Sequence, residues 1–150
     1  MIVGPSGAGK GTLITTLMDT FPGLFSFSVS YTTRGMRANE VDGVHYNFVT
    51  KETFEKMKDN NEFLETANVH GNYYGTAKAG IDKISQQNKI PLLDIDVQGA
   101  INFVNYFPYA NCILLSAPSV QIMRERLQKR STDTEAVIET RIKNSVQEVD

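Results

Sequence analysis

The residues best equipped for chemistry stand at the start of the chain. Gly4-Pro5-Ser6-Gly7-Ala8-Gly9-Lys10-Gly11-Thr12 has the spacing G-x-x-x-x-G-K of a phosphate-binding loop. Its glycines let the backbone come close to a ligand. The freed amides then point into one concavity that suits anionic oxygens. A helix opening at Lys10 adds partial positive charge at the same place. Lys10 itself supplies a mobile full charge for outer phosphates. Gly11 departs from the pattern, because a Ser or Thr hydroxyl usually follows the lysine and reaches Mg²⁺. Thr12 either takes over that task or holds an inner phosphate while water fills the metal's shell. The plainer alternative is a glycine-rich turn with no ligand, but the apolar residues before it and the helical pattern after it suit a phosphate loop.

Four more groups carry chemical potential. Arg34 and Arg37 lie three apart in a loop and, with Tyr46 and Tyr74, could hold a second phosphate, since an arginine fork matches phosphate oxygens. On spacing alone, two scattered arginines in a solvated loop account for them equally well. Glu65 sits inside an apolar strand pattern, where its carboxylate can accept two parallel hydrogen bonds from the N1–H and 2-amino edge of guanine. Adenine has no such pair. Ser30 or Thr76 could then contact O6, and a strand carboxylate facing water is the alternative. Asp94 and Asp96 alternate with Leu93 and Ile95, so both point to one strand face, where an acid near a phosphate loop holds Mg²⁺ through water or orients a cation. A capping acid at a strand end is the bland reading. Arg126 and Arg130 share a helix face, with Arg124, Lys129 and Arg141 nearby; this composition suits a cationic lid over transferring phosphates, or a merely solvated helix.

The elements that must position these groups alternate. The patterns predict a helix over 10–20, a strand over 24–31, another over 44–49, a helix capped by Thr50, a strand over 63–69, a turn at Gly71-Asn72 and a helix over 77–87. Ile90 to Val97 is a nearly continuous apolar run ending in carboxylates, as a buried parallel strand reads. A helix over 101–107, a buried strand over 112–117, a helix capped by Ser119 and a last helix behind the capping box Thr132-Asp133-Thr134-Glu135 follow. The result is a single α/β domain with a parallel sheet and a strand-rich insert, whose ligands should sit beyond the carboxyl ends of the strands.

With 150 residues the chain is long enough for one domain with a real core. Its formal charge of −2 offers no polyanion-binding surface, so nucleic acid is not expected. Its one cysteine, Cys112, lies in an apolar run and reads as a buried small hydrophobe. No apolar stretch approaches the roughly 20 residues of a membrane helix, and no secretory leader pattern is present, so a cytoplasmic setting without a membrane partner is expected. Both ends read as cut, because only Ile2 and Val3 precede the loop and the last helix has no stop signal.

The segments GPSGAGKGT, FSVSYTTRGMRANEVDGVHYNFV, NNEFLETANVHGNYYGT, LLDIDVQG and APSVQIMRERLQKRSTDTE resemble the guanylate kinase family of nucleoside monophosphate kinases over essentially the whole chain. The resemblance implies a three-layer P-loop kinase core with a parallel sheet at about 1–29 and 77–125. It also implies a mainly β GMP-binding insert at about 30–76 and a short helical lid at about 126–141. It implies transfer of the ATP γ-phosphoryl group to GMP with Mg²⁺, in a monomer or weak dimer. ATP would be held by Gly4, Pro5, Ser6, Gly7, Ala8, Gly9, Lys10, Gly11 and Thr12. Ser30, Glu65 and Thr76 would read the base. Arg34, Arg37, Tyr46 and Tyr74 would hold the GMP phosphate, with Asp94 and Asp96 beside GMP and the metal. Lys10, Arg34, Arg126, Arg130 and Arg141 would form the catalytic set, and Thr12 and Asp94 the metal contacts. Gly11 and the Gly35-Met36 pair depart from the family's usual residues. The family continues for about another strand and helix past Asp150. Two rival readings are a guanylate-kinase-like scaffold domain that binds peptides and a kinase for another acceptor. The intact loop lysine speaks against the first and Glu65 against the second.

Overall fold

Ile2 and Val3 form β1 (Ile2–Val3), and both are buried at the centre of a parallel sheet. The computed structural model describes residues 1–69, 71–129 and 134–147. After β1 and the glycine loop come α1 (Lys10–Thr20), β2 (Phe25–Phe27), β3 (Tyr31–Thr32), β4 (Asn47–Phe48) and α2 (Lys51–Asp59). Then follow β5 (Phe63–Val69), β6 (Asn72–Ala77), α3 (Lys78–Gln86), β7 (Ile90–Leu92) and β8 (Asp94–Ile95). The chain ends with α4 (Val97–Tyr106), β9 (Ile113–Leu114), α5 (Val120–Lys129) and α6 (Glu135–Gln147).

The core sheet follows from the apolar runs. β1 pairs in parallel with β8 on one side and β9 on the other, and β7 pairs in parallel with β2. β7 and β8 are separated only by Leu93, whose carbonyl accepts from the Ile2 amide at 2.8 Å. The run from Ile90 to Ile95 therefore crosses the sheet as one stretch with two partners. From Leu92 to Ile95 its apolar side chains are buried on both faces, as near-continuous hydrophobicity requires, whereas Ile90 at its start is exposed. Ile2 and Leu92 pack with Ile14 of α1, whereas Val3, Leu93 and Ile95 pack with Ala100 and Phe103 of α4.

Insert and core are joined at β2 and β3. The alternating stretch 24–31 was expected to be one strand, but Phe25–Phe27 pairs in the core sheet and Tyr31–Thr32 in a second sheet of order β4-β3-β6-β5. The period-2 pattern persists through Ser28-Val29-Ser30 while the pairing partner changes, so periodicity could not show the break. Under this second sheet, Phe54 of α2 stacks on Phe63 at 4.6 Å and on Tyr73 at 5.6 Å. The Thr50 side chain caps α2 by accepting from the Thr53 amide. Leu64 of β5 joins the core cluster on α4, which fixes the insert to the core.

Three further expectations are corrected. The helix expected over 101–107 begins at Val97, because Asp96 is its N-cap and accepts from the Gly99 amide at 2.7 Å. Asp96 is thus not a strand residue. Cys112 is exposed, and Ile113 and Leu114 are 51% and 58% exposed. β9 pairs only with β1 among the described residues. An apolar run at a sheet edge reads like one at its centre. Finally, Arg124 adds little free charge, because it pairs with Glu135 at 2.8 Å and Glu139 at 2.6 Å. Met123, Leu127, Ile138 and Ile142 close the α5–α6 hairpin, and the Ser119 hydroxyl accepts from the Ile122 amide at the start of α5. Arg130, Thr132 and Asp133 lie outside the described residues. No described helix is long and apolar enough to cross a membrane.

Candidate active site

One cleft lies beyond the carboxyl ends of β1 and β8 and runs under the insert. Its floor is the glycine loop. Gly4, at φ 151°, turns the chain out of β1 where a Cβ would overlap the Leu115 carbonyl oxygen. Lys10 lies inside the loop and donates to the carbonyl oxygens of Gly4 at 2.5 Å and Pro5 at 3.2 Å. It also stands 3.6 Å from the Asp94 carboxylate. Arg126 reaches in from α5, donating to the Gly7 and Ala8 carbonyl oxygens at 3.2 and 2.9 Å. Arg141 of α6 donates to the Ser6 hydroxyl at 3.3 Å. The loop is thus surrounded by three cations resting on its own oxygens, all within reach of an anion placed over its amides.

The opposite wall presents Arg34, Arg37, Tyr46 and Tyr74. Arg34 is fixed by Glu40, which accepts from both terminal nitrogens at 2.7 and 3.0 Å and also from the Arg37 amide at 2.8 Å. Burial alone would raise the Glu40 carboxyl, but the bonds from Arg34 and the Arg37 backbone outweigh it and hold the group below its ordinary value. Arg34 lies over the Tyr46 ring at 5.4 Å. Burial first, and then the Asp94 charge, pushes the Tyr46 hydroxyl well above its ordinary value, so it stays a hydrogen-bond donor.

Deeper in the cleft lie Ser30 and Glu65, both buried. Thr76 sits behind Glu65 and donates its hydroxyl to Oε1 at 2.6 Å. Burial raises the Glu65 carboxyl above its ordinary value, with the Asp96 charge acting the same way and the Thr76 bonds opposing both. A buried carboxylate keeps acceptor capacity on both oxygens beyond the bond from Thr76, and so can accept from a planar edge carrying two donors.

The guanylate kinase family model matches residues 1–150. The chain belongs to the guanylate kinase family. It is 46% identical over 149 residues to guanylate kinase 1 of Arabidopsis thaliana, covering 99% of this chain but 38% of that protein. It is 42% identical to the guanylate kinase of Carboxydothermus hydrogenoformans, covering 72% of it. The crystal structure of guanylate kinase from Anaplasma phagocytophilum aligns with a TM-score of 0.72 at 29% identity, covering 99% of this chain and 68% of that one. The α/β fold with its parallel sheet is accordingly that of a P-loop kinase of the guanylate kinase family. This chain spans about two fifths of the length of the plant relatives it matches, 38% and 39%.

Not every residue singled out from the sequence lines the cleft. Gly4, Pro5, Ser6, Gly7, Gly9, Lys10, Gly11, Ser30, Arg34, Arg37, Tyr46, Glu65, Tyr74, Asp94, Asp96 and Arg141 do. Ala8 is buried beneath the loop, and Thr76 touches the cleft only through Glu65. Thr12 is exposed and lies outside the cleft, so the hydroxyl expected to stand in at Gly11 does not reach it. Arg126 meets the loop through its carbonyls. Sequence reading missed Glu40, which looked like one polar residue in a turn, and Asn144 and Ser145 on the inner face of α6. The only sequence signal for Glu40 is its charge, three residues after Arg37.

Proposed function

We propose that this chain transfers the γ-phosphoryl group of ATP to GMP, giving ADP and GDP. The observation that carries the reading is one cleft with two anion-binding ends, the glycine loop with Lys10 and the Arg34–Arg37–Tyr46–Tyr74 wall, and a buried carboxylate beside the second. ATP phosphates would lie over the loop amides and Lys10. The GMP phosphate would take N–H groups of Arg34 and Arg37 and the tyrosine hydroxyls. Glu65 would accept from N1–H and the 2-amino group. The Thr76 proton is already given to Glu65, which leaves Ser30 as the donor to O6.

Transfer would be direct and in line. In the absence of a covalent intermediate the residues contribute positioning and charge neutralisation. Arg126 and Arg141 would turn from loop oxygens to the transferring group, and Arg130 would add a further positive charge. Closure of the insert, at about 30–76, and the lid, at about 126–141, would exclude water. The donor set suits a Mg²⁺ carried in by phosphate, since the loop offers no hydroxyl at Gly11 and Asp94 is the nearest carboxylate to Lys10. Among the described residues, no group of three or more His, Cys, Asp or Glu could hold a metal alone. Bound there, the ion would neutralise charge on the phosphates. We place the protein in the cytoplasm as a monomer or weak dimer.

A coupled assay of ADP release with GMP, AMP, CMP and UMP tests the reading. Turnover with GMP well above the other three is expected. No ADP release with any of the four acceptors would support the peptide-binding scaffold, and a preference for another acceptor would displace GMP.

A further inference from the structure

Gly99 stands in the first turn of α4, buried, with its amide donating to the capping Asp96 carboxylate at 2.7 Å. Its backbone is ordinary helix, so no unusual φ demands glycine there. Glycine in a helix costs up to about 1 kcal/mol relative to alanine. What requires it is space. A Cβ at this position would lie 2.8 Å from Glu65 Oε2, 3.1 Å from Asp96 Oδ1 and 2.6 Å from Ile95 Cγ2. The two carboxylates therefore close on one notch in the helix, and the missing side chain is the notch. Glu65 is held from the other side by Thr76, which donates to Oε1 at 2.6 Å. Its carboxylate can only pivot between these two limits.

We propose that Gly99 is a specificity-determining positioning residue. By leaving room for Oε2 it sets the depth of the Glu65 carboxylate, and with it the register in which a purine's N1–H and 2-amino edge is read. This rests on the reading of the cleft as a GMP site. A methyl group in the notch pushes Oε2 outward while Thr76 retains Oε1, which tilts the carboxylate out of the plane of an incoming base. Asp96 cannot yield instead without giving up its cap on α4. The three atoms nearest a Cβ at Gly99 belong to Ile95, Glu65 and Asp96 and none to the loop that meets ATP phosphates, so the effect belongs to the acceptor.

The test uses the full chain and four proteins: unaltered, Gly99→Ala, Glu65→Gln and the double variant. Dissociation constants for GMP, for ATP and for IMP, which lacks the 2-amino group, are measured by calorimetry beside steady-state KM values. Gly99→Ala is expected to weaken GMP at least about tenfold and to erode the preference for GMP over IMP, with ATP changed less than about twofold. In the Glu65→Gln background the same change should add less than about twofold, because its route through the carboxylate is gone. Should Gly99→Ala fail to fold on Ile95, Gly99→Ala with Ile95→Leu removes the Cγ2 branch and keeps the Glu65 conflict. GMP binding by the unaltered chain, with an unchanged GMP-to-IMP ratio in the folded variants, overturns the inference about Gly99. So does equal weakening of ATP and GMP, or an undiminished effect beside Glu65→Gln. If the unaltered chain binds no GMP, the reading of the site falls first and this inference with it.

Discussion

Glu40 takes both terminal nitrogens of Arg34, at 2.7 and 3.0 Å, and both side chains are nearly enclosed, at 13% and 12% exposed. Arg34 also donates from its Nη1 to the Gly35 carbonyl at 2.7 Å. Three of its five N–H groups are thus spent inside the loop, leaving Nε–H and one Nη2–H for Tyr74 and for an anion. Two effects compete when Glu40 is removed. Loss of a negative charge favours phosphate, while loss of the anchor frees a loop whose Gly35, Met36, Ala38 and Asn39 are exposed. Ordering even two such residues costs about 2–4 kcal/mol, which should win. Glu40→Ala is therefore expected to raise the KM for GMP at least about tenfold with the KM for ATP unchanged. A KM for GMP that falls would show that Glu40 competes with the substrate instead.

Protonation separates the two carboxylates. Glu65 lies above its ordinary value of 4.5, through burial and then Asp96, so the folded protein holds this proton more tightly than the unfolded chain does. Its contribution to stability is present below the ordinary value and is lost as pH rises through the raised one. GMP needs the ionised form, so affinity should fall as pH drops through that raised value, by about tenfold per unit once well below it. Glu40 is shifted the other way, and its contribution is lost only as pH falls below 4.5. Followed downward from pH 7 to pH 4, calorimetric GMP binding by the unaltered chain should therefore weaken above 4.5, before the Glu40 contribution begins to be lost. Glu65→Gln should bind poorly and lose that slope, and a slope retained in Glu65→Gln would assign the titration elsewhere.

Much of this was legible because local chemistry and global placement agreed. The glycine loop, α1 and the caps at Thr50 and Ser119 are local signals, and each is where its residues put it. Ser30, Arg34, Arg37, Tyr46, Glu65 and Tyr74 do line one cleft, but only the resemblance, not their spacing, drew them together. What stayed hidden depends on partners. Cys112 and Ile113 carry the apolarity of a central strand yet are exposed, and β9 has β1 as its one partner among the described residues, since hydrophobicity does not encode position in a sheet. Asp96 keeps the strand's alternation yet caps the next helix, and the choice is made by the Gly99 amide. Gly99 acts through Glu65, far along the chain, which no local pattern reveals, and Glu40 reaches Arg34 only because the loop between them folds back.

Gly4 should be intolerant of any side chain. Its φ of 151° is strained for other residues, and the obstacle to a Cβ is the Leu115 backbone carbonyl, which cannot rotate aside. β9 is tied to β1 there by the Leu115 amide donating to Val3 at 2.7 Å. Gly4→Ala is expected to cost at least about 3 kcal/mol in urea unfolding, or to yield insoluble protein. An unchanged midpoint would mean that β1 and β9 separate more easily than their pairing implies.

Lys10→Ala should leave the fold intact and cut turnover at least about a thousandfold, the scale of losing one preorganised charge from a phosphoryl-transfer site. Lys10 is half-buried, and its contacts are carbonyl oxygens of its own loop and Asp94. Removing it deletes no core volume. Circular dichroism and the melting temperature should therefore change little. Turnover within a few-fold of the unaltered chain would remove the charge-neutralisation scheme.

Gly11 allows the opposite experiment, a gain. No atom lies within 4 Å of a Cβ built there, and its position in α1 is ordinary helix. Serine should therefore fit without displacement and stabilise the helix by roughly 0.5 kcal/mol. It would also place a hydroxyl directly after Lys10, where Thr12 offers none because it faces solvent. If Mg²⁺ arrives held by phosphates and water, Gly11→Ser supplies an oxygen ligand the loop now lacks. The Mg²⁺ concentration for half-maximal ATP binding, read by calorimetry, should then fall several-fold, while the KM for GMP stays unchanged. Thr12→Ala should alter neither quantity. A marked loss of Mg²⁺ dependence in Thr12→Ala would place that hydroxyl at the metal after all, through a turn of the helix start that this conformation does not contain.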